Sequence, residues 1–143
     1  MRKLAWVGAL MGILMLSGGP TRAEQQAVSP VAWQSVIAAQ IQAFRDHDAP
    51  SALMFASEEF HKTFSDPREF FLAIINSGYE PIMDSRSQTF GPYQMVSPNL
   101  VLQEVKLTGK DQVIYEAIFQ LSKEATGWRV HGVQLMKTPD IEV

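Results

Sequence analysis

Apolar residues recur along this chain at two different periods, and the change from one to the other divides it. Trp33, Val36, Ile37, Ile41 and Phe44 are three or four positions apart, the spacing that places side chains on one face of a helix. Ser29-Pro30 supplies an N-cap and a first-turn proline, so a helix is expected over residues 30–47. It stops at Asp48-Ala49-Pro50, because proline disfavours helical backbone in the residue before it. Asp48 is placed to cap a second, shorter helix carrying Leu53, Met54 and Phe55. Residues 57–63 fit no single element, although Phe60 and Phe64, four apart, suggest a further turn. Asp66-Pro67-Arg68-Glu69 is an acidic form of the capping box. It predicts a third helix over residues 67–77, with Phe70, Phe71, Ile74 and Ile75 as its apolar face and Gly78 as its stop.

After Gly78 the period falls to two. Residues 79–83 read as extended, and residues 84–90 as a polar first strand that continues over 93–96 beyond a bend at Gly91-Pro92. Strands are expected over residues 100–107, 112–121 and 128–136, joined by short segments rich in turn residues. Such short links require antiparallel neighbours. Three helices followed by a meander is an α+β plan, with helices on one face of a sheet of about four strands. Pairing Thr108 with Asp111 and Leu121 with Trp128 sorts the apolar residues into two sets. One holds Leu100, Leu102, Val113, Tyr115, Ala117, Phe119, Trp128, Val130 and Met136; the other holds Val101, Val105, Leu107, Ile114, Ile118, Val133 and Leu135. Helices cover one face only, so a second apolar face implies a partner surface, most simply a homodimer.

Composition narrows the possibilities. Arg2-Lys3, the apolar run 4–16, the helix-breaking Ser17-Gly18-Gly19-Pro20 and Thr21-Arg22-Ala23 have the order of a secretory signal cleaved after Ala23. The expected organisation is a leader over 1–23, a loose segment over 24–29, one domain over 30–137 and a tail over 138–143. The expected location is the bacterial periplasm or the exterior, with no membrane span after cleavage, since the apolar run falls short of the roughly 20 residues a span needs. Without Arg2, Lys3 and Arg22 the chain has 9 basic and 15 acidic residues and a net charge of −6. That balance argues against nucleic acid and anionic lipid as partners. Cysteine is absent, which excludes disulfides, thiolate metal sites and cysteine nucleophiles.

Several stretches together resemble a family of exported bacterial proteins, domain of unknown function family 4864. They are the helix from Trp33 to Phe44 with Asp48, the segment 52–57, and Asn76-Ser77-Gly78-Tyr79-Glu80-Pro81. Gln103-Glu104-Val105 and the closing Gly127-Trp128-Arg129-Val130-His131-Gly132-Val133 complete the set. The resemblance spans residues 31–136. It implies an element order similar to the nuclear transport factor 2-like (cystatin-like) fold, a cone of three helices over a bent antiparallel sheet. That fold houses isomerases, dehydratases, cyclases and many non-catalytic binding domains, so it assigns no residue a role.

Candidate chemistry is sparse. In the assumed register His131 shares a face with Glu116 and Gln103, and an imidazole beside a carboxylate in a dry cone can exchange protons near neutral pH. His131 and Glu116 are therefore the catalytic candidates. Gln103, Tyr79, Tyr115 and Asp48 are the candidates for contact with a ligand, with Asp84 and Tyr93 as further conceivable pocket groups. His47, between Asp46 and Asp48, reads as a helix-terminal cation, and His61 as a surface residue. No spacing marks a metal or a cofactor. Three classes of function follow. The first is a non-catalytic exported domain binding a small apolar ligand or a protein partner. The second is a small isomerase, dehydratase or cyclase with a carboxylate or histidine base, and the third is a structural homodimer assisting an envelope complex.

Overall fold

The computed structural model describes residues 29–137. The expected leader, most of the loose segment after it and the tail lie outside the described residues. Among the described residues five helices precede four strands: α1 Val31–Arg45, α2 Ala49–Met54, α3 Glu58–Thr63, α4 Pro67–Asn76, α5 Glu80–Asp84, β1 Ser87–Ser97, β2 Leu100–Thr108, β3 Ile114–Glu124 and β4 Gly127–Lys137. The architecture is α+β, as expected, but the three expected helices are five. The ambiguous stretch around Phe60 is the single-turn α3. Residues 79–83, expected to be extended, form α5 instead. Proline is tolerated there because it falls in the first turn, whose N–H groups have no intrahelical acceptor. No described helix is long and apolar enough to cross a membrane.

Helix α1 lies over the sheet and buries Trp33, Ile37, Gln40, Ile41, Ala43 and Phe44. Its end has the geometry of a Schellman cap. His47 takes φ 56°, its N–H donates to Phe44 O at 3.1 Å, and the Asp48 N–H donates to Ala43 O at 2.8 Å. Arg45 in the last turn donates to Ser85 Oγ from Nε at 3.3 Å and from Nη2 at 3.1 Å, and also to Gln88 Oε1. Burial lowers its pKa from the ordinary guanidinium value. Asp48 caps α2, accepting from Ser51 N–H at 3.2 Å and from the Ser51 hydroxyl at 2.7 Å. Asp66 caps α4 through Arg68 N–H at 2.9 Å. Gly78, at φ 81°, closes α4 with the same pattern as His47, its N–H on Ile75 O and that of Tyr79 on Ile74 O.

The strands form one antiparallel meander in the order β1-β2-β3-β4. The predicted bend in β1 is present as a register shift between Phe90 and Tyr93. The two predicted apolar faces are not. Thr108 pairs with Ile114, which makes the β2–β3 loop five residues long. It closes through Gly109 N–H on Val113 O at 2.8 Å, with Gln112 at φ 70°. This displacement is odd, and an odd displacement turns a strand over. In β4 the partner of Gln120 is Gly132 while that of Leu121 is Val130. His131 is therefore an extra residue in the strand, a bulge that re-aims everything beyond it. Val101, Val105 and Leu107 consequently join Ala117, Phe119, Leu121, Val130, Val133 and Leu135 beneath the helices. Leu100, Leu102, Ile114, Ile118 and Met136 occupy the open face among Glu104, Lys106, Glu116, Gln120 and Gln134. That face is mixed rather than apolar.

Gln103 sits fully buried at the centre of the helix-covered face. Its Oε1 accepts from Trp33 Nε1–H at 2.9 Å and from Gln34 Nε2 at 3.1 Å. Its Nε2 donates to Gly91 O at 2.9 Å and to Glu104 O at 2.8 Å. Trp33 is held edge-on between Tyr93, with ring centroids 5.0 Å apart, and Trp128, at 5.4 Å. Removing Gln103 strands the indole N–H and the carbonyls at the bend. Gln103→Leu is thus expected to cost about 2–3 kcal/mol in urea unfolding, in keeping with unpaired buried groups.

Two terminal residues give further expectations. A non-glycine residue in the left-handed region is strained, so His47→Gly is expected to gain about 0.5–1 kcal/mol in the same unfolding measurement. The Asp66 carboxyl is held below its ordinary range first by the Arg68 backbone N–H, then by the Arg68 side chain. A depressed carboxyl stabilises the fold above its unfolded pKa and loses that contribution as pH falls through the lower folded value. Asp66→Asn keeps a capping oxygen without the charge, so a pH series from about 6 to 2 should show a shallower acid-side loss in the variant.

Candidate functional site

Between α3 and α4 on one side and β4 on the other, the apolar surfaces do not close. The gap is a cleft of about 300 Å³ walled by Phe60, Phe64, Phe70, Ala73, Ile74, Ser77, Tyr79, Gly132 and Val133. Helix α4 positions three of these walls because Phe70, Ala73 and Ile74 share one helical face. The single turn of α3 presents Phe60. Phe70 meets Phe60 edge-on at 5.8 Å and Phe64 edge-on at 5.7 Å, so the aromatic walls brace one another rather than fill the gap. Behind the cleft, sharing Phe60, Phe70, Ile74, Gly132 and Val133 with it, lies a small cavity of about 30 Å³ that reaches Gln40, Phe44 and Phe119. Tyr79 is the only titratable side chain among the lining residues of cleft and cavity.

The bulge in β4 fixes the neighbouring wall. Phe55 and Ser57 pair along the otherwise free edge of β4 through Val130 N–H on Phe55 O and Ser57 N–H on Val130 O, each 2.8 Å. Ser57 is the N-cap residue of α3, yet its hydroxyl makes no capping bond. It lies instead 3.2 Å from His131 Nδ1. The capping role passes to Glu124, whose carboxylate accepts from Glu58 N–H at 3.3 Å and from Ser122 Oγ at 3.1 Å. Helix α3 is thereby tied to β4 and to the β3–β4 turn.

The residues singled out from the sequence are dispersed over this frame. Gln103 is buried beneath α1 with both ends of its amide bonded, Glu116 faces out beside Lys106 and Met136, and His131 turns to Ser57. The position opposite Glu116 is Met136, roughly 16 Å along β4 from His131 at about 3.3 Å per residue. The shared face assumed for His131, Glu116 and Gln103 is thus replaced by three separate environments, because the register is odd and the strand bulges. Asp48 is exposed and occupied with capping α2. Tyr115 is half-buried against the β2–β3 loop, beside a smaller pocket where Asp84 pairs with Lys110 at 3.6 Å. Tyr93 meets Trp33 edge-on. Tyr79 alone among the candidates reaches the cleft. His61 is on the exposed surface of α3, as expected. Among the described residues no group of three His, Asp or Glu side chains is arranged to hold a metal ion.

Gln40 escaped the sequence reading although a signal was present. It falls three positions after Ile37 and four before Phe44, on the apolar stripe of α1, and it is 2% exposed. Phe60 and Phe64 were legible as a pair, but not as the wall of a cleft.

Comparison with known proteins places this geometry in a family. The chain matches the family described as a domain of unknown function (DUF4864) over residues 26–143, and it belongs to that family. No curated protein matches it.

The tie between α3 and β4 can be measured. Ser57→Ala and His131→Ala should each destabilise the protein by about 1 kcal/mol. A double-mutant cycle in urea should return a coupling of about 0.5–1.5 kcal/mol if the two groups bond one another, and near zero if they do not.

Proposed function

We propose that the protein is an exported, non-catalytic binding domain of nuclear transport factor 2-like type, which takes a small apolar ligand into the cleft between α3, α4 and β4. The observation that carries this reading is the cleft itself, an aromatic-walled gap of about 300 Å³ between helices and sheet. Concave apolar sites with few polar groups are the usual form of small-molecule sites. Burying about 200 Å² of ligand hydrocarbon, at about 25 cal/mol per Å², contributes about 5 kcal/mol before the cost of association. That gross figure corresponds to an affinity of about 0.2 mM at best, so binding in the millimolar range follows for ligands of this size. The order of elements, helices first and a bent antiparallel meander after them, supports the fold assignment, and the leader-like residues 1–23 support export. A catalytic role has less to work with, since Glu116 and His131 lie in separate environments and His131 is engaged with Ser57.

The open sheet face supports a second reading, pairing of two copies. Ile114 and Met136 are 42% and 44% exposed there, beside a groove of about 420 Å³ lined by Glu104, Lys106, Glu116 and Ile118. Native mass spectrometry at micromolar concentration should then give a dimer, and a monomer would retire the idea.

For the cleft, thermal unfolding with a panel of small apolar compounds should show saturable stabilisation. Ala73→Leu, which adds bulk to the wall without removing an apolar contact, should weaken that binding about tenfold or more while leaving the unliganded melting temperature within a few degrees. If no compound stabilises the protein, or if Ala73→Leu binds as before, the cleft is not the site.

A further inference from the structure

The cleft contains one feature that hydrocarbon alone does not satisfy. Gln40 is 2% exposed in the middle of the apolar face of α1, and it lines the small cavity behind the aromatic walls. Its Nε2 donates to Ala52 O at 3.0 Å, which fixes the amide by tying α1 to α2. Among the described residues no donor reaches its Oε1. A buried amide oxygen without a donor is costly, on the order of 1–3 kcal/mol, and buried polar groups are as a rule paired. The cavity that Gln40 lines, about 30 Å³, is large enough for one hydroxyl or one water and too small for a ring. No Asp, Glu, Lys, Arg or His lines either space, so nothing there offsets the desolvation of a charged ligand.

We infer that Gln40 is the polar anchor of the cleft, and that the ligand is a neutral, mainly apolar molecule carrying a hydroxyl or N–H donor at one end, which donates to Gln40 Oε1 while its hydrocarbon body lies between Phe60, Phe64, Phe70 and Val133. This inference rests on the proposed function and narrows it, from any apolar compound to one with a terminal donor. It also predicts orientation, with the polar end inward and the apolar end toward the mouth near Ser77 and Tyr79.

The test uses the purified protein and three probes of nearly equal bulk, read by titration calorimetry. They are para-propylphenol, its methyl ether, which has no donor, and para-propylbenzoate, which is anionic at neutral pH. The phenol should bind about tenfold tighter than the ether, and the benzoate more weakly than either. In Gln40→Met, which keeps the volume and loses the acceptor, phenol and ether should bind within about twofold of each other. In the unaltered protein the Gln40 side-chain amide resonances should move on adding phenol and stay in place on adding ether. That pair of spectra decides the matter even if Gln40→Met fails to fold. Equal binding of phenol and ether to the unaltered protein would overturn the anchor and leave the cleft a purely apolar site. A phenol preference that survives Gln40→Met would move the anchor elsewhere, the hydroxyls of Ser77 and Tyr79 in the cleft being the alternatives. Failure of all three probes together with the wider apolar panel would overturn the proposed function itself.

Discussion

The indole of Trp33 and the amide of Gln103 form the junction on which the rest of this molecule depends. Gln103 is fully buried in a central strand, where an unpaired amide would be intolerable, and four bonds satisfy it. Two join it to α1 and one to the carbonyl of Gly91, where β1 changes register. A single side chain therefore fixes the seat of the long helix, the bend of the edge strand and the spacing between them. Tyr93 and Trp128 close on the two sides of the indole, so the same junction draws β1 and β4 toward α1. Polar specificity at the centre of an apolar layer allows one placement of the helix where greasy contact alone would allow several.

With α1 anchored at one end, the other helices are left to reach the sheet as best they can. Helices α2 and α3 do so through β4, whose free edge is covered by Phe55 and Ser57, a common remedy for an unpaired strand. Helix α4 packs on its neighbours, and Phe70 meets Phe44, Phe60 and Phe64. Its inner face stands off Val133, and this stand-off is the cleft. The aromatic rings hold the gap open by bracing one another at centroid distances of 5.7–6.1 Å, an arrangement that offset and edge-on contacts favour. Rigid walls of this kind lower the ordering cost of taking in a ligand.

Much of this was readable along the chain, and where reading failed the cause was geometric. The stripe from Trp33 to Phe44, the caps at Asp48 and Asp66, the stop at Gly78 and the bend at Gly91-Pro92 are local events. Each depends on neighbours within a few residues, and each stands where expected. Helix α5 stands where an extended segment is expected, and it accommodates Pro81 because that residue falls in its first turn. The candidate trio His131, Glu116 and Gln103 came apart for a different reason. Which face a strand residue takes depends on loop length and bulges, and one residue either way reverses it. The β2–β3 loop and the extra residue at His131 each did so.

The sequence by itself therefore determined most of the elements and their order, the family, the absence of cysteine chemistry and the residues able to form a core, because those follow from period, capping and composition. Tertiary structure alone decided the rest. It set which strand faces lie under the helices and turned His131 toward a serine 74 positions away. It left Gln40 buried beside the cavity behind an aromatic cleft, its oxygen without a donor among the described residues. Those outcomes depend on register and on the distance between layers, and neither quantity is recorded in any short stretch of chain.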